Sequence, residues 1–139
     1  MINKRIFGLV LIGLTLFACE DQSKKQIGEL HKQVMDLHDV VMAEYGSLEK
    51  MGFQLKDSLA ALNEAGTADE TTLSTFHAAI QQNEKGIEGM NNWMRGFDQK
   101  YEEKGPEKAV TYLKEQLVEM EKVKKDFDEA TQAAKAILE

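Results

Sequence analysis

One cysteine and one proline in 139 residues set the first limits. A single thiol excludes an internal disulfide and any CxxC zinc or redox pair. A single proline, with 29% charged residues, leaves long helices uninterrupted and disfavours a sheet protein rich in turns. Aromatic residues are sparse at 7%, and the chain carries 17 basic against 24 acidic residues, a net charge of −7. Phosphate contacts need clustered lysine and arginine, so an acidic chain without a basic stripe is not built to hold nucleic acid. The chain also has no Gly-rich phosphate loop, no HExxH and only three histidines, and its carboxylates fall on solvated helix faces. Without converging acid, base or nucleophile groups, an enzyme is not expected.

What is present begins with the only long apolar run. Lys4 and Arg5 form a positive start, and Ile6 to Ala18 (IFGLVLIGLTLFA) follow as 13 uncharged residues. A membrane-spanning helix needs about 20 apolar residues, whereas a signal-peptide core needs fewer. A buried core helix would be amphipathic, and this run is apolar all round. Residues 1–18 are therefore expected to be a cleaved signal peptide. Its loss removes Lys4 and Arg5 and leaves 15 basic against 24 acidic residues, a net −9.

At Leu16-Phe17-Ala18-Cys19 the chain resembles a bacterial lipobox, with Phe17 bulkier than the usual residue at its place. The resemblance implies cleavage between Ala18 and Cys19 and lipidation of Cys19, the only covalent cofactor expected. Several acyl chains, such as palmitate, at about 0.8 kcal/mol per buried methylene, would hold the protein durably at a membrane. Glu20 and Asp21 look like the acidic sorting signals of some Bacteroidota surface lipoproteins. The expected location is the cell envelope, lipid-anchored at the outer membrane, facing the periplasm or the surface.

Beyond a short tether at 19–23, residues 24–139 read as three amphipathic helices, about 24–63, 68–103 and 106–138. Ile27, Val34, Val41, Leu48, Leu55 and Leu62 recur every seven residues. Leu30, Leu37 and Met51 fill the intervening positions, which Glu44 and Ser58 interrupt, as in a heptad repeat. Leu73, Phe76, Ile80, Ile87, Met90, Met94, Phe97 and Tyr101 continue the pattern, broken at Asn83. Leu113, Leu117, Met120, Phe127, Ala130, Ala134 and Leu138 carry it through the third segment. Ser23 with Gln26 and Thr67 with Glu70 are candidate capping boxes; Gly66 and Gly105-Pro106 are stop signals. Short joins make successive helices antiparallel. The expected fold is all-α, an up-down-up antiparallel three-helix bundle with coiled-coil-like packing. Gly46, Gly52, Gly86, Gly89 and Gly96 inside these helices each cost about 1 kcal/mol relative to alanine, and local flexibility is their plain reading.

One constellation stands apart. His31, Met35, His38 and Met42 share a helix face on the shoulder of the apolar seam. Folding the second helix back near residues 65–66 sets His38 level with Trp93, and Met42 level with Met90. Met94 and Met120 then join the same belt. Thioethers and imidazoles suit Cu(I), with a tryptophan face as shield, which makes a soft-metal site the alternative function. Methionine also fills irregular core gaps as a matter of course, and that reading is preferred.

The stretches HDVVM (38–42) and GMNNWMRGF (89–97) resemble the HDxVM and MMxWMxxF signatures of small helical Bacteroidota lipoproteins, some labelled "viral A-type inclusion protein". Asn91-Asn92 departs from that family's form. The resemblance implies an envelope lipoprotein with a helical bundle and no catalytic residue. The expectation is thus a non-catalytic interaction or structural module, partnered by an envelope protein or by itself.

Overall fold

The computed structural model describes the backbone from Phe7 and the side chains from Gln22. Residues 1–6 of the expected signal segment, and every side chain through Asp21 including those of Ala18 and Cys19, lie outside what is described. The protein is an all-α three-helix bundle: α1 (Phe7–Ala65), α2 (Glu70–Gly96) and α3 (Pro106–Leu138), with a 3-10 turn at Tyr101–Lys104. No described helix is long and apolar enough to cross a membrane. The chain divides into two compact units.

The larger unit comprises Met35–Phe97 and Val118–Glu139 and holds segments of all three helices. Helix directions follow from cross-helix pairs. His38 meets Trp93, Tyr45 meets Asn91 and Lys56 meets Glu84, so α2 descends as α1 rises. Lys85 pairs with Asp126, and Gly89 lies beside Val123, so α3 runs opposite to α2. The core has the seven-residue spacing read from the sequence. Val41, Leu48 and Leu55 of α1 and Met120, Phe127 and Ala134 of α3 are buried. Between them α2 supplies Ala79, Asn83, Gly86, Met90 and Trp93. Each buried large side chain contributes about 1.5–3 kcal/mol by leaving water.

Two glycines of this core have a packing role rather than the flexibility expected of them. A β-carbon on Gly86 would stand 3.3 Å from Leu48 Cδ2 and 3.6 Å from both Ala130 Cβ and Phe127 Cα, so Gly86 lets three helices close on one point. A β-carbon on Gly52 would collide with the side-chain amide of Asn83. Asn83 is nevertheless satisfied: its Nδ2 donates to Leu48 O at 2.7 Å.

The smaller unit comprises Met1–Val34 and Asp98–Leu117. Leu30 and Val34 of α1 are buried, as are Tyr101, Ala109, Leu113 and Gln116. Glycines set its turn and the one after α1. Gly66 closes α1 at φ 61°, and Gly105 leads into α3 at φ 91° and ψ 160°, both in the left-handed half where a β-carbon is strained.

Three boundaries differ from the sequence expectation. α1 is helical from Phe7 instead of from about 24, so it runs without a break through the tether expected at 19–23 and through Ser23, expected as its cap. The N-cap of α2 is Asp69, not Thr67: its carboxylate accepts Thr72 N–H at 2.7 Å, and that bond holds the Asp69 carboxyl below its usual range. The second helix stops at Gly96 instead of near 103. Phe97 turns extended (φ −66°, ψ 115°) with its N–H bonded to Trp93 O. Asp98 then binds its own backbone two residues on, accepting Lys100 N–H at 2.9 Å, an aspartate turn that competes with helix.

Candidate interaction site

On the larger unit the open face between α1 and α2 carries a groove of about 480 Å³. Its floor is Gly52 and Asn83; Phe53 and Ile87 supply the apolar walls. Glu49, Lys56, Glu84, Glu88 and Arg95 surround them. Lys56 Nζ and Glu84 Oε1 bridge the groove at 2.7 Å. Tyr45 and Asn91 exchange hydrogen bonds of 3.2 and 3.0 Å across the same pair of helices. Phe53 is 62% exposed, a large apolar side chain left in water at the lip. Met42 and Met94 are also exposed. Single exposed apolar side chains are ordinary, and it is the position beside a groove that makes Phe53 a candidate contact. The heptad reading gives no sign of this groove, because Phe53 and Glu49 occupy outward positions like any other. The only hint is a phenylalanine where the pattern asks for a polar residue.

The residues of the expected soft-metal belt separate into different environments. His38 and Trp93 do meet, ring centroids 5.7 Å apart, and His38 Nδ1 lies 2.9 Å from Asp39 Oδ1. Met90 and Met120 are fully buried in the packed core, Met35 is half-buried, and Met42 and Met94 face solvent. Trp93 packs against Phe97 with centroids 5.0 Å apart, and its Nε1 is buried without a hydrogen-bond partner. His31 belongs to the smaller unit, where its Nδ1 lies 3.0 Å from the Tyr101 hydroxyl. Among the described residues no group of three or more His, Cys, Asp or Glu side chains is placed to hold a metal ion.

In the smaller unit a second cluster forms around the turn before α3. Tyr101 stacks on Tyr112, centroids 5.7 Å apart, and on His31 at 5.9 Å. The Tyr112 hydroxyl accepts Asp98 N–H at 2.7 Å. Lys104 reaches Asp98 Oδ2 at 2.6 Å and lies 5.3 Å from the Tyr112 ring centre. The Lys104 bond, followed by Lys100 N–H, holds the Asp98 carboxyl below its usual range, and Asp98 in turn raises Lys104. Burial, and then the Glu102 charge, push the Tyr101 hydroxyl up. These contacts pin the turn to its neighbours. Comparison with family models, curated proteins and solved structures finds no match.

Proposed function

We propose that this chain is a lipid-anchored protein of the bacterial cell envelope, at the outer membrane, that acts through protein contacts and not through catalysis. The anchoring half rests on the sequence at Leu16–Cys19, where an apolar run behind two positive charges ends at the sole cysteine. The interaction half is carried by one observation: Phe53, 62% exposed, stands at the lip of a groove whose floor is a close-fitted glycine and asparagine. Ordered floor and exposed apolar wall together suit an amphipathic helix laid along it.

Each half has its own test. Cys19→Ser should leave an unprocessed precursor that takes up no labelled fatty acid; normal maturation and labelling would end the anchoring reading. A photo-crosslinking amino acid at position 53, activated in intact envelopes, should capture a protein partner, while the same probe at exposed Gln54, which faces Lys135 and Leu138 of α3 instead of the groove, should not. Equal capture at both positions would mean that the groove is not an interface.

A further inference from the structure

Building on the interaction-module reading above, we infer that the α1/α2 groove receives a second copy of this chain. What it takes is the outward face of α3, the copies standing side by side and pointing the same way.

The first observation is Val118, 65% exposed, the most solvent-facing of the large apolar residues described. At about 100° per residue it falls about 160° from Met120 and about 180° from Phe127, so it points away from the core those residues fill. Lys122 and Lys125 lie within about 40° of it by the same count. Both are exposed, and Lys125 is 3.7 Å from Glu129 on its own helix. Glu121 sits on the other flank. The outward face of α3 is therefore an apolar knob followed by Lys122, which has no such pair among the described residues, and by the Lys125–Glu129 pair.

The two helices that form the groove offer the complement. Outside the groove's lining, exposed Met42 of α1 and Met94 of α2 provide apolar surface; within it, exposed Glu49 and Glu88 provide negative charge. The groove's own cations are engaged locally, Lys56 with Glu84 and Arg95 with the Asn92 amide oxygen.

Height is the second observation, independent of charge. The Lys85–Asp126 pair and the Gly89–Val123 approach set α3 residues 122–125 level with α2 residues 85–90. Continuing one turn sets Val118 level with Met94. The Tyr45–Asn91 bonds bring Met42 to that same level. Sliding one copy sideways, without raising it, thus presents Val118 to the two methionines and Lys122 to Glu88. Two copies anchored by N-terminal lipids in one membrane would meet at a raised effective concentration. Because the groove and the outward face of α3 are different surfaces, the contact is heterologous and extends into rows.

The test uses the full-length chain in envelopes, with p-benzoylphenylalanine at position 42. Crosslinks should join two copies and map to α3 near Val118. Lys122→Glu with Lys125→Glu should cut them about tenfold, as should Glu49→Lys with Glu88→Lys, because each pair of changes opposes like charges. Mixing the two variants should restore crosslinks between them, since their reversed faces match again. Crosslinks to α1 or α2 of the other copy, crosslinks to a different protein, or charge reversals without effect would each overturn the proposal. Fatty-acid labelling of the same samples separates the two readings. Uncrosslinked copies that still label at Cys19 would end self-docking and leave the anchored module standing.

Discussion

Gly52 and Asn83 occupy one space: the glycine on α1 has no side chain because the asparagine amide from α2 lies where its β-carbon would be. The amide can come so deep because Nδ2 reaches the carbonyl of Leu48. Packing and hydrogen bonding therefore fix each other at this crossing, and the pair sets how α1 and α2 are aligned.

Gly52→Ala should destabilise the protein by about 1–3 kcal/mol, the range for overpacking a tight core, despite alanine's better helix propensity. Gly46→Ala is the control. Nothing lies within 4 Å of its β-carbon position, so it should stabilise by about 0.5–1 kcal/mol. In an Asn83→Ala background the penalty at residue 52 should vanish, a coupling of about 1 kcal/mol or more between touching residues. Denaturant unfolding of the four variants measures this cycle. Additive effects would mean that the two residues do not share the space.

The heptad positions Val41, Leu48 and Leu55 were legible in the sequence because one physical requirement, a stripe facing a core, repeats every seven residues. The level of His38 with Trp93 followed from antiparallel folding at a short turn, and the rings do meet. Gly52 and Asn83 read separately as a helix weakness and a broken pattern, because their meaning is a contact 31 positions apart in the chain. The end of α2 was misplaced for a similar reason. The apolar run through Phe97 and Tyr101 continues the helical spacing, while Asp98 and the distant Tyr112 hydroxyl take the backbone out of the helix. Periodicity reports burial, and burial alone does not say whether the chain is still helical.

The two turn glycines should respond differently to the same substitutions. Gly66 at φ 61° is in the left-handed region that asparagine tolerates after a helix, so Gly66→Asn should cost little and Gly66→Ala about 1 kcal/mol. Gly105, at φ 91° and ψ 160°, is in a region open essentially to glycine alone. There Asn and Ala should each cost about 1–3 kcal/mol. Thermal unfolding of the four variants decides it; an asparagine equally tolerated at both sites would contradict this assignment.

Asp98 and Lys104 should mark the two ends of the pH–stability profile. The folded-state pKa of Asp98 lies below its ordinary 3.8, so its stabilisation is present above that value and lost as pH falls through the lowered one. The pKa of Lys104 is raised above 10.5, so its share is present below 10.5 and lost as pH rises through the raised value. Because each group shifts the other, Asp98→Asn should flatten both limbs of the unfolding profile, whereas Lys104→Met should remove the alkaline limb and leave the part of the acid limb that the Lys100 N–H holds. Tyr112→Phe, which removes the acceptor of Asp98 N–H, should lower stability by about 1 kcal/mol without changing the acid limb, because the hydroxyl is no cause of the Asp98 shift. A Tyr112→Phe profile with an altered acid limb would contradict that assignment.

Trp93 offers a last check on how the larger unit is packed. Its Nε1 is buried with no partner, a donor stripped of water with nothing in return, which costs about 1–3 kcal/mol. Trp93→Phe removes that donor along with part of the ring. The lost burial, in a site walled by His38 and Phe97, destabilises, and the removed desolvation cost offsets it. The net change should be under about 1.5 kcal/mol, against about 3–5 kcal/mol for Trp93→Ala, where the whole ring leaves a cavity. Trp93 is the only tryptophan, so its emission reports this environment alone. It should be blue-shifted in the folded protein and move to the red on unfolding, in step with loss of helix signal. A Trp93→Phe cost as large as that of Trp93→Ala would mean that the indole N–H is satisfied in solution and that the site is more open to water than its burial indicates.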